Sequence, residues 1–424
     1  MNATRPIRLA FLGDMGIRGA SHAMYDYADY AERLLHVRRP LILYRQGGQI
    51  VEDTLARYKA RFGEANVVEL PALPRYALRD DPLDRALLRG RVTHLHRLIG
   101  AWNGLAPTAL PGVRVLMHVV YDGWARLQKA QPRSMGQHGG QWRVPSDLIV
   151  ARVSSSVPDG SADCNSMPVV PHIVRPLGDG DSPWTLDGPN MRASLGISPD
   201  ATVFCRHGGR NSFNRLTTRE GLIVAARRYP SIYFILMNTN PCHAVPAPPA
   251  YHQCIPPLPN VILLNATADA LKPAFIRTCD AMIHGRENGE MFGLALAEFS
   301  VMRRPIFTCG PKAPHLNARA HLDMLGEKAF VHSGRSVDEL VQQIGSFDRR
   351  RAAALGEYWN AYSTYAPEPV MRAFECVFLQ RSSGSGGRCR AAPASSASTM
   401  LQDDPCESCQ PYSSPRANGC VKPR

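Results

Sequence analysis

Two doubly wound α/β halves facing a cleft are what this chain of 424 residues predicts, on three observations. Short apolar runs alternate with helical stretches twice over, and a stretch dense in Gly, Pro and Asp separates the two series. The length also exceeds what a single typical core organises. A hydrophobic share of 44% is ordinary for a soluble globular chain.

The first series opens with a strand over residues 7–12, a loop with Gly13, Gly16 and Gly19, and a helix from about 21 to 35, which is a strand, glycine-rich loop, helix unit. Further strands are expected at 40–44, 66–70, 113–120, 148–153 and 169–170, with helices near 50–62, 84–99 and 124–130. Residues 175–189 then read as a linker. The second series runs strand 201–205, helix 217–228, strands 232–237 and 261–264, helix 269–278, strand 281–284, a helix carrying two acids, strand 305–309, and helices near 315–325 and 336–346. A helical stretch over 352–379, interrupted by Pro367 and Pro369, follows. From Arg381 the composition shifts to Ser, Gly, Pro, Ala and Cys, and a disordered tail is expected.

The segment from His284 to Glu298 carries the most information. A buried strand ends at His284, Gly285–Gly289 makes a tight turn, and a helix is expected from Glu290 with Phe292, Leu294, Leu296 and Phe299 on its apolar positions. Glu298 would then lie roughly 12 Å further along the same helix, about the span from a hexose to the ribose of a nucleoside diphosphate sugar. Carboxylates accept paired hydrogen bonds from vicinal hydroxyls, and the free N–H groups of Met291, Phe292 and Gly293 suit an anion. The alternative is an ordinary first-turn acid and a solvated one. The Gly-flanked turn from strand to helix favours the first reading.

On these residues the chain resembles the retaining glycosyltransferases of GT-B architecture, and more narrowly the sucrose-synthase-like and mannosyltransferase-like family (group 1, or family 4). The resemblance implies two Rossmann-like domains: residues 1–175 on the acceptor side, 176–190 as linker, 191–350 binding the nucleotide sugar, 351–380 as terminal helices crossing back, and 381–424 as tail. It implies that Glu290 orients the sugar and Glu298 the ribose. Arg206, ending a strand before Gly208 and Gly209, is read as the diphosphate clamp, with Arg210 beside it. The family has a Lys about five residues later; Asn211 stands there, so Arg210 or Arg215 would have to substitute. Gly16 resembles the family's N-terminal loop facing the donor, and His118 its histidine at the cleft edge. His284 and Arg286 flank the donor turn, His284 read as scaffold.

The implied activity is transfer of a sugar from a nucleoside diphosphate donor to a glycan, lipid or protein acceptor, metal-independent and without a further cofactor. A sugar-nucleotide epimerase of the same fold is the alternative within that architecture. A basic, non-catalytic module for nucleic acid or lipid is the alternative outside it.

Net charge is +13, most of it within residues 1–153. No helix-turn-helix, zinc-finger or aromatic RNA-binding pattern accompanies it, so no nucleic-acid partner is expected, and the charge suits a solvated Arg-rich surface or anionic headgroups. No apolar run approaches the roughly 20 residues that span a bilayer, and no signal-peptide core precedes Arg5 and Arg8. A cytoplasmic protein, or one peripheral to a membrane, is expected. With 11 cysteines, Cys205, Cys279 and Cys309 read as buried small hydrophobes in a reducing compartment, and the sequons at Asn2 and Asn265 as chance. Asp179-Gly-Asp181 and Cys406-x-x-Cys409 match metal-binding patterns only weakly.

Overall fold

A computed structural model describes residues 6–16, 19–48, 50–72, 81–99, 110–120, 148–154, 167–178, 182–245, 251–265, 269–310 and 318–380. The expected helix at 124–130, Asp179 and Asp181, Asn2 and the tail from Arg381 lie outside them.

The first half holds β1 (Arg8–Leu12), α1 (Gly19–Leu34), β2 (Arg38–Arg45), α2 (Glu52–Phe62), β3 (Val67–Leu70), α3 (Asp81–Arg89), β4 (His94–Ile99), β5 (Arg114–Val119) and β6 (Leu148–Arg152). Its six strands are all parallel in the order β3-β2-β1-β4-β5-β6. The second half holds β7 (Thr202–Arg206), α4 (Leu216–Arg228), β8 (Ile232–Met237), β9 (Cys242–Val245), β10 (Tyr251–Cys254), β11 (Val261–Leu264), α5 (Lys272–Thr278), β12 (Ala281–Ile283), α6 (Leu294–Val301), β13 (Ile306–Cys309), α7 (Ala320–Leu325), β14 (Ala329–His332), α8 (Val337–Gly345), α9 (Arg349–Leu355) and α10 (Pro367–Phe374). A second six-stranded parallel sheet repeats the order as β11-β8-β7-β12-β13-β14, and β9 and β10 form a separate hairpin.

The burial pattern explains the parallel sheets. Central strands such as Leu9–Phe11 and Val203–Cys205 are buried at every position, the run expected of a sheet covered on both faces. Each sheet changes direction once, between β1 and β4 and between β7 and β12, and ligands of such sheets bind at the carboxyl ends beside that switch.

Three expectations need correction. The stretch 84–99 is not one helix: α3 ends at Arg89, Gly90 packs its backbone against Leu41 and Val92, Arg91 takes φ +50°, and residues 94–99 form the central strand β4. Strand β14 and the β9–β10 hairpin were not expected. Cys205 and Cys279 are not separate small hydrophobes but a disulfide. Pairing of β7 with β12 sets Met282 opposite Cys205, which draws the end of α5 onto the sheet. Cys242 and Cys254 form a second disulfide, and Cys376 is also disulfide-bonded. Cys309 is a free, buried thiol.

The chain crosses back at its end. Val370, Met371, Phe374, Phe378 and Leu379 are buried in the same cluster as Phe11, Tyr27 and Leu116 of the first half. Arg175, just after the first half, pairs with Asp26 at 2.9 Å and Asp29 at 3.1 Å on α1, and the Val174 N–H donates to the Tyr365 carbonyl at 2.8 Å. No helix among the described residues is long and apolar enough to cross a membrane.

Candidate active site

The two halves meet at the carboxyl ends of β1 and β12. A Cβ on Gly19, at the start of α1, would lie 3.3 Å from the Leu294 side chain at the start of α6. Leu294 packs against the core clusters of both halves.

The helix with two acids begins later than expected. Gly289 and Gly293 both have positive φ, +63° and +79°, and Gly293 is the N-cap of α6. A left-handed residue at 293 cannot continue a right-handed helix from 290. Glu290 therefore lies in the turn ahead of α6, and Glu298 on its second turn. The helix N–H groups without an intrahelical acceptor are those of Leu294, Ala295 and Leu296, since the first return bond runs from Ala297 N–H to the Gly293 carbonyl at 3.0 Å. The Met291 and Phe292 side chains are buried. Phe292 packs on His172, Tyr362 and Tyr365, and its carbonyl accepts from Tyr362 Oη at 2.7 Å.

The turn is fixed from behind. Ala318 N–H donates to the Asn288 carbonyl at 3.1 Å and His321 N–H to the Glu290 carbonyl at 3.3 Å, while Glu290 N–H donates to His321 Nδ1 at 3.2 Å. The Glu290 carboxylate is met by Arg286 Nη1 at 2.7 Å and lies 3.7 Å from His284 Nε2. His284 Nδ1 is held by Thr308 Oγ1 at 2.9 Å, so His284 is scaffold for Glu290. Burial alone would raise the Glu290 pKa, but Arg286 and His284 hold the carboxyl well below the usual range.

Glu298 has its own pair of partners. His207 Nε2 lies 2.8 Å from one carboxylate oxygen, off the line of a good hydrogen bond, and Lys272 Nζ lies 3.6 Å from the other. Burial raises and Lys272 with His207 lowers this carboxyl, leaving it at about 2. Lys272 also reaches His22 of α1 at 3.4 Å. Beside Glu298, a cavity of about 70 Å³ opens between the halves, lined among others by His22, Arg57, Trp184 and Lys272.

The arginines divide differently from expectation. Arg206 is 3% exposed, and its guanidinium donates to Thr239 Oγ1 at 2.5 Å, Ser212 Oγ at 2.6 Å, and the Gly209 and Asn238 carbonyls at 2.8 and 3.2 Å. Burial lowers its pKa to about 9. Its terminal nitrogens are spent on Gly209 and Ser212 of the 207–212 loop and on Asn238 and Thr239 after β8, so Arg206 ties these two segments together instead of standing open to a phosphate. Arg210 is exposed on the loop. Arg215, the residue before α4, is buried; one of its terminal nitrogens donates to the Gly334 carbonyl at 2.8 Å and the other, Nη1, has no partner. An unmatched buried guanidinium donor is a group that an anion satisfies.

His118 is not at a cleft edge. Its side chain is 0% exposed, Nε2 contacts the Val170 carbonyl at 2.6 Å, and its ring packs with Tyr27, His96, His172 and Phe378. Strand β5 points it into the core. Gly16 lies in the loop after β1, its N–H donating to Ser21 Oγ at 3.2 Å. Sequence reasoning singled out neither His207 nor Lys272: His207 follows Arg206 without a pattern of its own, and Lys272 is brought to Glu298 only by the packing of α5 and α6.

No protein family and no curated protein matches the chain. Among solved structures, HepE of Anabaena in complex with UDP and glucose superposes with a TM-score of 0.59 at 13% identity, covering 88% of this chain and 100% of that one. A glycosyltransferase of Rickettsia africae gives 0.53 at 11% identity over 87% and 94% of the two chains. WaaG, a glycosyltransferase involved in lipopolysaccharide biosynthesis, gives 0.52 at 11% identity over 87% and 99%.

The fold is GT-B.

At these identities the likeness is one of fold. In the GT-B frame the α6 N-terminus, Glu290, Glu298, Arg210 and Arg215 all come from elements at the carboxyl end of the second sheet, next to its switch point, with His22 and the Gly16 loop from the first.

Proposed function

We propose that this protein is a glycosyltransferase that takes a sugar from a nucleoside diphosphate donor with retention of configuration. The observation that carries the reading is one short segment in which two ionised carboxylates, Glu290 and Glu298, bracket the open N–H groups of Leu294–Leu296. Glu290 would accept hydrogen bonds from sugar hydroxyls and Glu298 from the ribose. The N–H groups would receive the diphosphate, joined by Arg215 Nη1 and Arg210. The uridine complexes of HepE support UDP as the first nucleotide to try.

In the reaction the bond from the anomeric carbon to the diphosphate oxygen breaks, and the acceptor oxygen bonds to that carbon. The acceptor's proton passes to the departing phosphate oxygen, so no protein base is required. The protein's contribution is charge: donors already fixed where negative charge grows on the leaving group lower the barrier most. Arg210, Arg215 and the helix N-terminus would supply the positive charge that a divalent cation otherwise brings, so activity is expected to survive EDTA.

The test is turnover of UDP-, GDP- and ADP-sugars with and without EDTA, with the anomeric configuration of the product read by NMR. A retained product from one donor, unaffected by chelation, is the expected result. An inverted product, or activity only with added Mg²⁺, overturns the retaining and metal-free parts respectively.

A further inference from the structure

We propose that the Cys242–Cys254 disulfide is a thiol-redox site that latches the 206–213 loop, so that a dithiol reductant weakens donor binding by this protein. The inference rests on the donor reading above for its effect on binding, and on geometry alone for its effect on the loop.

The disulfide closes the rung of the β9–β10 hairpin where Cys254 stands opposite Cys242. The hairpin belongs to neither six-stranded sheet, and a two-stranded ribbon by itself is marginal in water. The covalent rung therefore matters to it. At its foot, Ile255 N–H donates to the Pro241 carbonyl at 2.9 Å, and Cys242 N–H to Asn240 Oδ1 at 3.2 Å.

From that foot the hydrogen bonds run directly into the loop that carries Arg210. Asn240 N–H donates to the Arg210 carbonyl at 2.8 Å, and Asn240 Nδ2 to Asn211 Oδ1 at 3.3 Å. Arg219 of α4 ties both segments, donating to the Phe213 carbonyl at 2.9 Å, to the Asn240 carbonyl at 3.2 Å and to the Pro241 carbonyl. Loosening residues 240–242 therefore removes acceptors and donors that hold 210–213.

The two disulfides with both cysteines among the described residues differ in reach. Cys205 and Cys279 are 0% and 1% exposed, closed to a reductant while the fold is intact. Cys254 is exposed and Cys242 half-buried. A thiolate of the reductant attacks one of these sulfurs, and its second thiol resolves the mixed disulfide. Two electrons and two protons pass to Cys242 and Cys254 as thiols, and the reductant leaves as its own disulfide.

The test uses the full chain, oxidised and then treated with dithiothreitol under native conditions. Trapping with N-ethylmaleimide and peptide mass spectrometry locates the reduced pair, amide hydrogen exchange reads residues 206–213, and calorimetry reads UDP affinity. Expected are alkylation at Cys242 and Cys254 with Cys205 and Cys279 intact, roughly tenfold faster exchange in the loop, and roughly three- to tenfold weaker UDP binding. The Cys242→Ser/Cys254→Ser variant should match the reduced protein before and after treatment. Unchanged loop exchange after proven reduction overturns the proposal, as does a pair already alkylated before reduction. Faster exchange in a protein that binds no nucleotide in either state would support the latch and overturn the donor reading instead.

Discussion

Arg206 and Arg215 show how little residue type says about role until the donors are counted. Both are buried arginines near the ends of a strand–loop–helix unit, and the sequence favoured Arg206 because it stands next to paired glycines. In the fold every contact of Arg206 goes to Gly209, Ser212, Asn238 and Thr239 or their neighbours, while Arg215 keeps Nη1 unmatched. Two variants separate the roles. Arg206→Ala should cost roughly 2–3 kcal/mol of stability, because it leaves buried acceptors unpaired, and urea unfolding will read it. Arg215→Ala should change stability less and raise the KM for donor by about tenfold or more, since charged hydrogen bonds to phosphate are lost. Equal losses of stability with no effect on KM would remove Arg215 from the site. The two glutamates were legible because a Gly-rich turn between a buried strand and an apolar helical pattern marks their segment; their partners His207, Lys272 and His321 were not, because each arrives from another element.

At the scale of elements, the place where α6 begins is set by glycine. A Cβ on Gly289 would collide with the Ala318 carbonyl, and the residue sits at φ +63°. Gly289→Ala should therefore displace Glu290 and destabilise the fold by about 1–3 kcal/mol, with donor KM rising in step; a variant of unchanged stability would contradict this account of the turn. The same reasoning shows what the sequence hid. Glu290 and Met291 follow a Gly-rich turn and precede an apolar helical pattern, so the pattern alone starts the helix too early. Likewise α3 and β4 merge into one helical run unless Gly90 and Arg91 are recognised as a break. The strands of both sheets with continuous buried runs of four or five residues, such as β1, β2 and β7, were the easiest to read.

At the scale of the molecule, the first half is completed by the last helix. Phe374 is 0% exposed and packs against Tyr27 and His96, so Phe374→Ala should cost about 3–5 kcal/mol although it lies more than three hundred residues from β1. The same core buries His96, His118 and His172. Burial lowers their pKa values, to about 4 for His118 and about 3 for His172, against an ordinary 6.5. The unfolded chain takes up protons at these positions below 6.5, and the folded chain does not until near 4 at His118 and near 3 at His172. Stability should therefore be full above 6.5 and fall between 6.5 and about 4, by up to roughly 1.4 kcal/mol per pH unit for each histidine. Urea midpoints measured from pH 7.5 to 4.5 will show it, and a flat profile would contradict the neutral, buried state of the three rings.

One segment, Glu290 to Glu298, is proposed to hold the sugar nucleotide. Isothermal calorimetry of the wild-type chain and Glu298→Ala against UDP, GDP, ADP and their sugars tests it most directly. Expected are one site per chain for one of these nucleotides and an affinity lower by about tenfold or more in the variant, the loss of about 1.4 kcal/mol or more. No binding by the folded wild-type chain, or equal binding by the variant, would contradict it.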